Sequence, residues 1–137
     1  AAIEAIIPSF EIIGCRFNGE LKNSQFRPIA DGGANVCCIL GQEFTSWNLE
    51  ALADQLVTLN LNGKRVAAGQ FSDLVWKNLC EAVAWLASQP IIAERGLTAG
   101  DLIMTGTVTG MTPLGSGDVA EASFGNMGVV RAQFESL

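Results

Sequence analysis

A run of threonines and glycines at residues 105–112 follows an apolar segment. Its first part contains Thr105, Gly106, Thr107 and Thr109. Because glycine lets backbone N–H groups approach a ligand closely, such a run at the exit of a strand can surround an anion such as a carboxylate. The ordinary alternative is a threonine-rich turn whose hydroxyls bond to its own backbone. The four residues are candidate substrate-binding residues, with both interpretations open.

Glu11 is a carboxylate flanked by the apolar residues Phe10 and Ile12. In a partly enclosed site, this carboxylate could hold a hard divalent cation. Simple alternation on a half-exposed strand explains the same pattern, with Glu11 facing water and its neighbours facing the core. A divalent cation also needs several oxygen ligands, so Glu11 alone predicts an incomplete metal site.

Arg16 and Asp31 are the other charged residues that could take part in a site. Asp31 stands before two glycines, and this pattern most often makes a turn, although the carboxylate could also orient a water, an arginine or a ligand. Arg16 could pair with Asp31 or bind a carboxylate through two parallel hydrogen bonds. A solvated surface charge is the ordinary alternative for Arg16.

The charge balance excludes some classes of partner. The 137 residues carry 8 basic and 14 acidic side chains, a net charge of −6. Binding to nucleic acid requires clustered basic residues, and here only Lys64 and Arg65 are adjacent. No apolar run approaches the roughly 20 residues of a membrane helix, and residues 1–10 lack the basic flank of a signal peptide. We therefore expect no nucleic-acid partner, no membrane segment and a cytoplasmic location.

Composition also predicts how the chain is organised. Charged residues make up only 16% of the sequence, below the roughly 25% that is typical of soluble domains. We expect one domain over residues 1–137 whose surface is partly covered by a second copy, most simply in a two-fold dimer. The chain has no histidine, which excludes catalytic sets that depend on one. The four cysteines form no Cys-x-x-Cys pair and are predicted to be buried free thiols.

Local patterns predict more strands than helices. Asn62-Gly63 is typical of a type I′ turn and predicts a hairpin. The main helix is predicted over residues 73–88, capped by Asp73 and ended or kinked by Pro90, and a second piece over 91–95 is closed by Gly96. Further expectations are a loop over 18–28 and a helical turn near 48–53 capped by Thr45 or Ser46. Strands are predicted over 3–17 (broken at Pro8), 36–40, 56–61, 64–68, 102–105, 119–124 and 129–134. The fold class is α+β, with a mostly antiparallel or mixed sheet and one principal helix at about 73–89.

An ordered set of short motifs resembles the C-terminal part of the fumarylacetoacetase superfamily, in particular its 2-oxopent-4-enoate hydratase and 4-oxalocrotonate decarboxylase branch. The motif around Glu11, Phe10-Glu-Ile-Ile-Gly-Cys-Arg16, is similar to that family's A-[LI]-E-[IV]-[IV]-x-S-R. The other matching segments are Ala30-Asp31, Ile39-Leu-Gly41, Glu81-Ala-Val-Ala-Trp-Leu86, Leu97-Thr-Ala-Gly-Asp-Leu-Ile-Met-Thr-Gly106, Gly117-Asp118, Ala122-Ser-Phe124, Gly128-Val-Val130 and Phe134.

The resemblance implies a fold and a chemistry. The family's fold is a β-rich mixed roll with one long helix. Its members bind Mg²⁺ or Mn²⁺ through three carboxylates and hold a 2-oxo acid against the metal, which stabilises an enolate. Under this resemblance, Glu11 is the third metal carboxylate and residues 105–109 are the substrate-carboxylate loop. Arg16 and Asp31 would lie near the pocket.

The departures from the family pattern suggest two functions. The family's first two metal ligands, a Glu-x-Glu pair, and a catalytic lysine lie before the position of Glu11, and this sequence contains no Glu-x-Glu. Gly32, Ala34 and Cys15 also replace family residues. The first hypothesis is a truncated hydratase- or decarboxylase-like domain that keeps the fold and a small-acid pocket as a binding or assembly module. The alternative is a metal-dependent lyase for 2-oxo acids, active alone or with a separate N-terminal partner.

Overall fold

The computed structural model describes residues 2–18, 26–74, 76 and 78–135. Within these residues the strands are β1 (Ser9–Ile13), β2 (Asn35–Leu40), β3 (Leu56–Leu61), β4 (Lys64–Gln70), β5 (Val119–Ser123) and β6 (Val129–Gln133). The helices are α1 (Arg27–Ala30), α2 (Leu49–Ala53), α3 (Leu79–Ser88) and α4 (Pro90–Arg95). The strand pairings among the described residues are antiparallel, which confirms the α+β class.

The larger sheet has the strand order β4-β3-β5-β6. Its hairpin β3–β4 turns at Asn62 and Gly63, whose φ angles of 52° and 79° are both positive, as the type I′ turn requires. The Asn62 side chain also ties this turn to the neighbouring one, because its Nδ2 donates to Asp118 Oδ1 at 2.7 Å. The predicted hairpin is confirmed.

One face of the larger sheet carries the main core cluster. Buried residues from β3, α2, α3 and the two short 3₁₀ turns meet there, namely Leu52, Val57, Phe71, Leu79 and Met127. Val57, the second residue of β3, is only 2% exposed and is the best-buried side chain of this cluster. Val108, from the threonine-rich loop, packs against the same cluster.

The smaller sheet consists of β1 and β2. Pro8 precedes β1, and the chain before it makes only an isolated bridge between Ile6 and Phe44. The predicted break at Pro8 is therefore confirmed. The register contains a β-bulge: Ile12 lies opposite Cys37, whereas Ile13 lies opposite Asn35. One residue of β2 is thus left over, and the side chain of Asn35 is brought to the other face of the ribbon.

The main helix begins later than the sequence pattern predicts. Helix α3 starts at Leu79, and its N-cap is Asn78, whose Oδ1 accepts from the Glu81 N–H at 2.9 Å. Asp73 closes a 3₁₀ turn instead, where its carboxylate accepts from the backbone N–H of Gln70 at 3.1 Å. The predicted start and cap at Asp73 are wrong, because a local capping box uses this carboxylate before the helix begins.

The end of the helical region agrees with the prediction. Helix α3 stops at Ser88, and Pro90 occupies the first turn of α4, where its missing N–H costs nothing. Gly96 then ends α4 with a φ of 78°, a conformation that glycine adopts without strain. Both predicted breaks are confirmed.

Three other local predictions need correction. Helix α2 is capped by Asn48, whose Oδ1 accepts from the N–H of Glu50 at 2.8 Å, and not by Thr45 or Ser46. Residues 102–105 form no strand, because they take part in none of the strand pairings among the described residues. Helix α1 occupies part of the predicted loop 18–28, with Pro28 in its first turn. The rest of that prediction, residues 19–25, lies outside the described residues.

Most of the cysteine side chains lie at the surface. Cys37, Cys38 and Cys80 are free thiols, as predicted, but Cys15, Cys37 and Cys38 are exposed rather than buried. The exposure of Cys37 and Cys38 follows from their position on β2, which belongs to a sheet of two strands with little to cover it.

Of the helices in the described part of the chain, none is long and apolar enough to cross a membrane.

Candidate functional site

Glu11 lies in the middle of β1, opposite Cys38 of β2. Its side chain is exposed, and its Oε1 accepts a hydrogen bond of 2.9 Å from Asn35 Nδ2. The same amide nitrogen lies 3.6 Å from Cys38 Sγ. Because the bulge in the β1–β2 register brings Asn35 opposite Ile13, its side chain shares the face of Glu11. A carboxylate, an amide and a thiol therefore meet on one face of the small sheet.

Arg16 and Asp31 form the second part of this group. The Asp31 side chain is only 1% exposed, and its Oδ1 lies 3.3 Å from Arg16 Nη1. That nitrogen also donates to the Asp31 carbonyl oxygen at 2.8 Å, and the Arg16 backbone N–H lies 3.4 Å from both carboxylate oxygens. The Arg16 side chain remains 51% exposed. Asp31 thus acts as a buried anchor, and Arg16 reaches from this anchor to the surface.

Asn35 joins the two parts. Its carbonyl oxygen accepts a hydrogen bond from Arg16 Nη2, while its side chain holds Glu11. A tight turn precedes it, in which Gly32, Gly33 and Ala34 all have positive φ angles, between 62° and 77°. Sequence reasoning missed Asn35, since only the bulge places it on the face of Glu11. We name Glu11, Arg16, Asp31 and Asn35 the carboxylate–arginine cluster.

The threonine-rich loop is held by its own hydroxyls. Thr107 Oγ1 accepts from the Thr109 N–H at 3.2 Å and lies 3.2 Å from the Gly110 carbonyl oxygen. Gly106 and Gly110 have φ angles of 101° and 68°, so the backbone reverses at each end of this short segment. At Thr107, the ordinary alternative of a self-bonded turn is therefore observed. The Thr105 and Thr109 side chains are half-buried.

Gly69 of β4 lies directly against the backbone of this loop. A Cβ atom added at Gly69 would lie 1.8 Å from the Val108 carbonyl oxygen, so only glycine lets the two backbones approach this closely. Together with the packing of Val108 on the core cluster, this contact fixes where the threonine-rich loop lies. Sequence reasoning missed Gly69, which lies directly after the predicted strand 64–68 and inside the observed β4.

The loop and the carboxylate–arginine cluster are neighbours through β1. Ser9 Oγ lies 3.7 Å from Met104 Sδ, just before the loop begins. Ser9 and Glu11 are two residues apart on one strand, so their side chains share a face. Within the described residues, no hydrogen bond joins residues 105–109 to Glu11, Arg16 or Asp31. The contact between Ser9 and Met104 therefore links the strand that carries Glu11 to the residue before the loop, without a direct bond between the two groups.

A pocket of about 160 Å³ opens next to the loop, and we name it the tryptophan pocket. Trp76, Trp85 and Leu86 line one side, and Ile103, Met104 and Thr105 line the other. The two indole rings lie 5.8 Å apart and are tilted by 38°, an arrangement that aromatic pairs prefer. Trp76 is 38% exposed and Trp85 is 49% exposed. The pocket is therefore an apolar recess that is open to solvent.

Two carboxyls outside these groups have perturbed pKa values with structural causes. The side-chain hydrogen bond from Asn62, followed by the backbone hydrogen bond from Gly115, lowers the pKa of Asp118. The backbone hydrogen bond from Thr98 is the main cause that lowers the pKa of Asp101, and the charge of Arg95 adds to it. Both aspartates follow a glycine in the motifs of the resemblance, and here they stabilise turns.

The donor set falls short of a complete metal site. Among the residues that the structure describes, no group of three or more His, Cys, Asp or Glu side chains is placed to hold a metal ion. Glu11 supplies one carboxylate, and the buried carboxylate of Asp31 is occupied by Arg16. Because Mg²⁺ needs a near-octahedral set of oxygen ligands and a single exposed carboxylate supplies too few of them, the described residues alone do not fit a tightly held ion.

Comparison with known proteins identifies the family. Residues 16–135 match the model of the fumarylacetoacetate (FAA) hydrolase C-terminal family. The 2-keto-4-pentenoate hydratase of Paraburkholderia xenovorans (strain LB400) is 29% identical over 135 residues, which cover 98% of this chain and 49% of the hydratase. The 4-oxalocrotonate decarboxylase of Pseudomonas putida is 29% identical over 136 residues, which cover 98% of this chain and 50% of the decarboxylase.

A solved structure agrees with this assignment. The 4-oxalocrotonate decarboxylase from Pseudomonas putida G7, complexed with magnesium and adipate, superposes with a TM-score of 0.82 at 30% identity. The match covers 97% of this chain and 50% of the decarboxylase, so the chain spans about half the length of the relatives it matches. The resemblance stated from the sequence is confirmed: the chain belongs to the fumarylacetoacetate hydrolase C-terminal family.

Proposed function

We propose that this chain forms the acid-binding part of the active site of a metal-dependent hydratase or decarboxylase for short 2-oxo acids. The observation that carries the proposal is the carboxylate–arginine cluster. In it, Asn35 ties the exposed carboxylate of Glu11 to an arginine that is anchored on a buried aspartate. Functional side chains are held in place by hydrogen bonds from neighbouring groups, and the Arg16 and Glu11 side chains have such support.

Each residue of the cluster would have its own role in binding the acid. Asp31 fixes the guanidinium of Arg16, which uses Nη1 for Asp31 and one Nη2 hydrogen for Asn35. A guanidinium has five N–H donors, so donors remain on its exposed side for a ligand carboxylate. Thr105 and Thr109 would supply hydroxyls from the neighbouring loop. Asn35 would keep Oε1 of Glu11 in place.

Catalysis would need groups beyond the described ones. The relatives are named for hydration of 2-keto-4-pentenoate and for decarboxylation of 4-oxalocrotonate, and a neighbouring structure holds magnesium. When bound, such an ion would polarise the 2-oxo group. Glu11 is the residue of this chain that would contribute to holding it. The remaining carboxylates would have to come from another segment or another polypeptide.

The first test measures binding to the chain itself. We expect pyruvate, added with Mg²⁺, to shift the amide NMR resonances of residues 105–110 and of Arg16. Propionate, which keeps the carboxylate but lacks the oxo group, serves as the matched control ligand and should shift them less. The outcome that contradicts the proposal is pyruvate leaving these resonances unmoved at millimolar concentration.

The second test separates the enzyme from a pure binding module. The binding module is favoured by one observation: the polar contacts of the cluster are satisfied within the chain itself. The chain would be fused behind the first half of the 4-oxalocrotonate decarboxylase from Pseudomonas putida G7. The release of CO₂ from 4-oxalocrotonate would then be measured in the presence of Mg²⁺. We expect decarboxylation by the fusion, none by the chain alone, and none by a Glu11→Gln fusion. Retained pyruvate binding without decarboxylation would favour the binding module.

A further inference from the structure

We propose that Glu11, Asn35 and Cys38 form a site for a thiophilic divalent cation such as zinc, on the exposed face of the ribbon that β1 and β2 make. We name these three residues the thiol–carboxylate site. The inference goes beyond the proposed function, because it needs no 2-oxo acid and concerns a cation of a different class from magnesium.

The pairing of the two strands holds the three side chains on one face. Glu11 lies directly opposite Cys38, and the β-bulge brings Asn35 to the same face. The Cβ atoms of directly opposite residues lie about 4.5–5.5 Å apart. A glutamate and a cysteine at that spacing can reach one cation between them, since zinc binds thiolate sulfur at about 2.3 Å and carboxylate oxygen at about 2.0–2.2 Å.

The amide group of Asn35 shows where such a cation would lie. Its Nδ2 donates to Glu11 Oε1 at 2.9 Å and lies 3.6 Å from Cys38 Sγ. The electron-rich atoms of both side chains therefore face one N–H donor group, and a cation is attracted to the same point by the same electrostatic force. Half a turn of the amide would exchange its nitrogen for its oxygen, which accepts rather than donates. The oxygen would then be a third donor atom toward the cation.

The mixture of donor atoms selects the class of cation. Mg²⁺ takes oxygen ligands, whereas thiolate ligands favour softer ions such as Zn²⁺. A thiolate, a carboxylate and an amide oxygen make three protein ligands, and zinc sites with three protein ligands keep a fourth position open. Asn35 and Cys38 lie outside the segments that resemble the family motifs, so the site depends on residues that the resemblance does not include.

The exposure of the site predicts its strength. Glu11 and Cys38 are exposed and Asn35 is half-buried, so a cation reaches the donor atoms without any opening of the fold. As the metal–sulfur bond forms, the proton of the Cys38 thiol leaves to solvent. Among the described residues, no group of three His, Cys, Asp or Glu side chains surrounds this point. We therefore expect binding at micromolar concentrations, weaker than at closed zinc sites with four protein ligands.

The experiment uses Cd²⁺ as the probe, because a cadmium–thiolate bond absorbs in the ultraviolet and zinc is spectroscopically silent. The chain, with its cysteines kept reduced, is titrated with Cd²⁺, and the bound Cd²⁺ is then challenged with Zn²⁺ or with Mg²⁺. We expect the absorption to saturate at one Cd²⁺ per chain. Zn²⁺ should remove the absorption, and a large excess of Mg²⁺ should leave it in place.

Cys37 provides the matched control. It is also exposed, but it lies opposite Ile12 and so on the other face of the ribbon. We expect Cys38→Ser to abolish the absorption and Cys37→Ser to keep it, with urea midpoints close to wild type for both. Glu11→Gln should weaken the binding of Cd²⁺ by about tenfold, since a neutral amide replaces a charged ligand.

The outcomes decide the site without reference to the acid. No absorption, or an absorption that Cys38→Ser retains or that Cys37→Ser removes equally, would overturn the site. Saturation at one Cd²⁺ for two chains would also overturn it, because the cation would then lie between two copies. Wild-type affinity in Glu11→Gln would reduce the site to a single thiol and refute it. The proposed function is tested separately, by the binding of pyruvate.

Discussion

Replacing Gly69 by alanine should displace the threonine-rich loop. The added Cβ would lie 1.8 Å from the Val108 carbonyl oxygen and 2.9 Å from the Val108 carbonyl carbon. Since such contacts are not shorter than 3.0 Å in proteins, one backbone must move by about 1 Å, a displacement of the size that can cost a site much of its activity. The atoms that block the Cβ are backbone, so no side-chain rotation relieves the clash.

The energetic cost follows from the same geometry. Forcing extra atoms into a packed contact costs about 1–3 kcal/mol, and Val108 would also be drawn away from the core cluster around Val57. We expect Gly69→Ala to lower the free energy of unfolding by about 2–3 kcal/mol, measured by urea denaturation. NMR should show the largest shifts at residues 105–110.

Gly115→Ala is the matched control for this change. A Cβ at Gly115 would meet only Asp118 Oδ2, at an ordinary 3.6 Å, so the free energy of unfolding should change by less than about 0.5 kcal/mol. The reasoning is refuted if Gly69→Ala unfolds at the wild-type urea concentration and leaves the resonances of the loop in place.

Four further predictions concern the cluster, the turns and assembly. Asp31→Ala should lower the free energy of unfolding, measured by urea denaturation, by about 2 kcal/mol, which is less than for a fully buried ion pair because Arg16 is half exposed. The control Asp54→Ala, at an exposed residue, should lower it by less than about 0.5 kcal/mol. Equal effects of the two changes would contradict the anchoring role of Asp31. Glu11→Ala should leave the urea midpoint nearly unchanged, and a strong loss would mark Glu11 as structural. Because hydrogen bonds lower the pKa of Asp118, its contribution to stability is present above the ordinary value of 3.8 and is lost as the pH falls through the lowered pKa; Asp118→Asn should therefore show a smaller fall in melting temperature below about pH 4 than wild type. Finally, light scattering should show a two-fold dimer, and a monomer would count against the covered apolar surface.

The sequence predicts those parts of the fold that depend on neighbouring residues. Asn62-Gly63 specifies a turn through its own backbone angles. Pro90 interrupts the helical region because its ring and missing N–H do not fit a helix interior, and Gly96 ends α4 because it adopts a positive φ. The predicted start of α3 was wrong because Asp73 and Asn78 are both good caps, and the capping box of the preceding 3₁₀ turn uses Asp73 before the helix begins. Residues 102–105 have the composition of a strand but lack a partner strand among the described residues.

The charged members of the candidate site were named from the sequence, but the hydrogen bonds between them were not. Glu11, Arg16 and Asp31 were named from the sequence. In the structure, Arg16 bonds directly to Asp31, and Asn35 joins Arg16 to Glu11. Asn35 itself gave no signal, because its place opposite Ile13 depends on a bulge in the pairing of β1 with β2. The tryptophan pocket was missed for a similar reason, since the helical stripe of α3 does not reveal what packs against it.

Two members of the carboxylate–arginine cluster, Glu11 and Asn35, lie on a ribbon of two strands, while the main core lies under the four-stranded sheet. Strand β2 is mostly exposed along its length, and two strands alone are only marginally stable in water. The ribbon should therefore open more often than the larger sheet, so that its amide hydrogens exchange with deuterium sooner. A ligand held by the cluster would slow that exchange, and the occupancy of the site would become visible in the protection of backbone hydrogens that the ligand never touches.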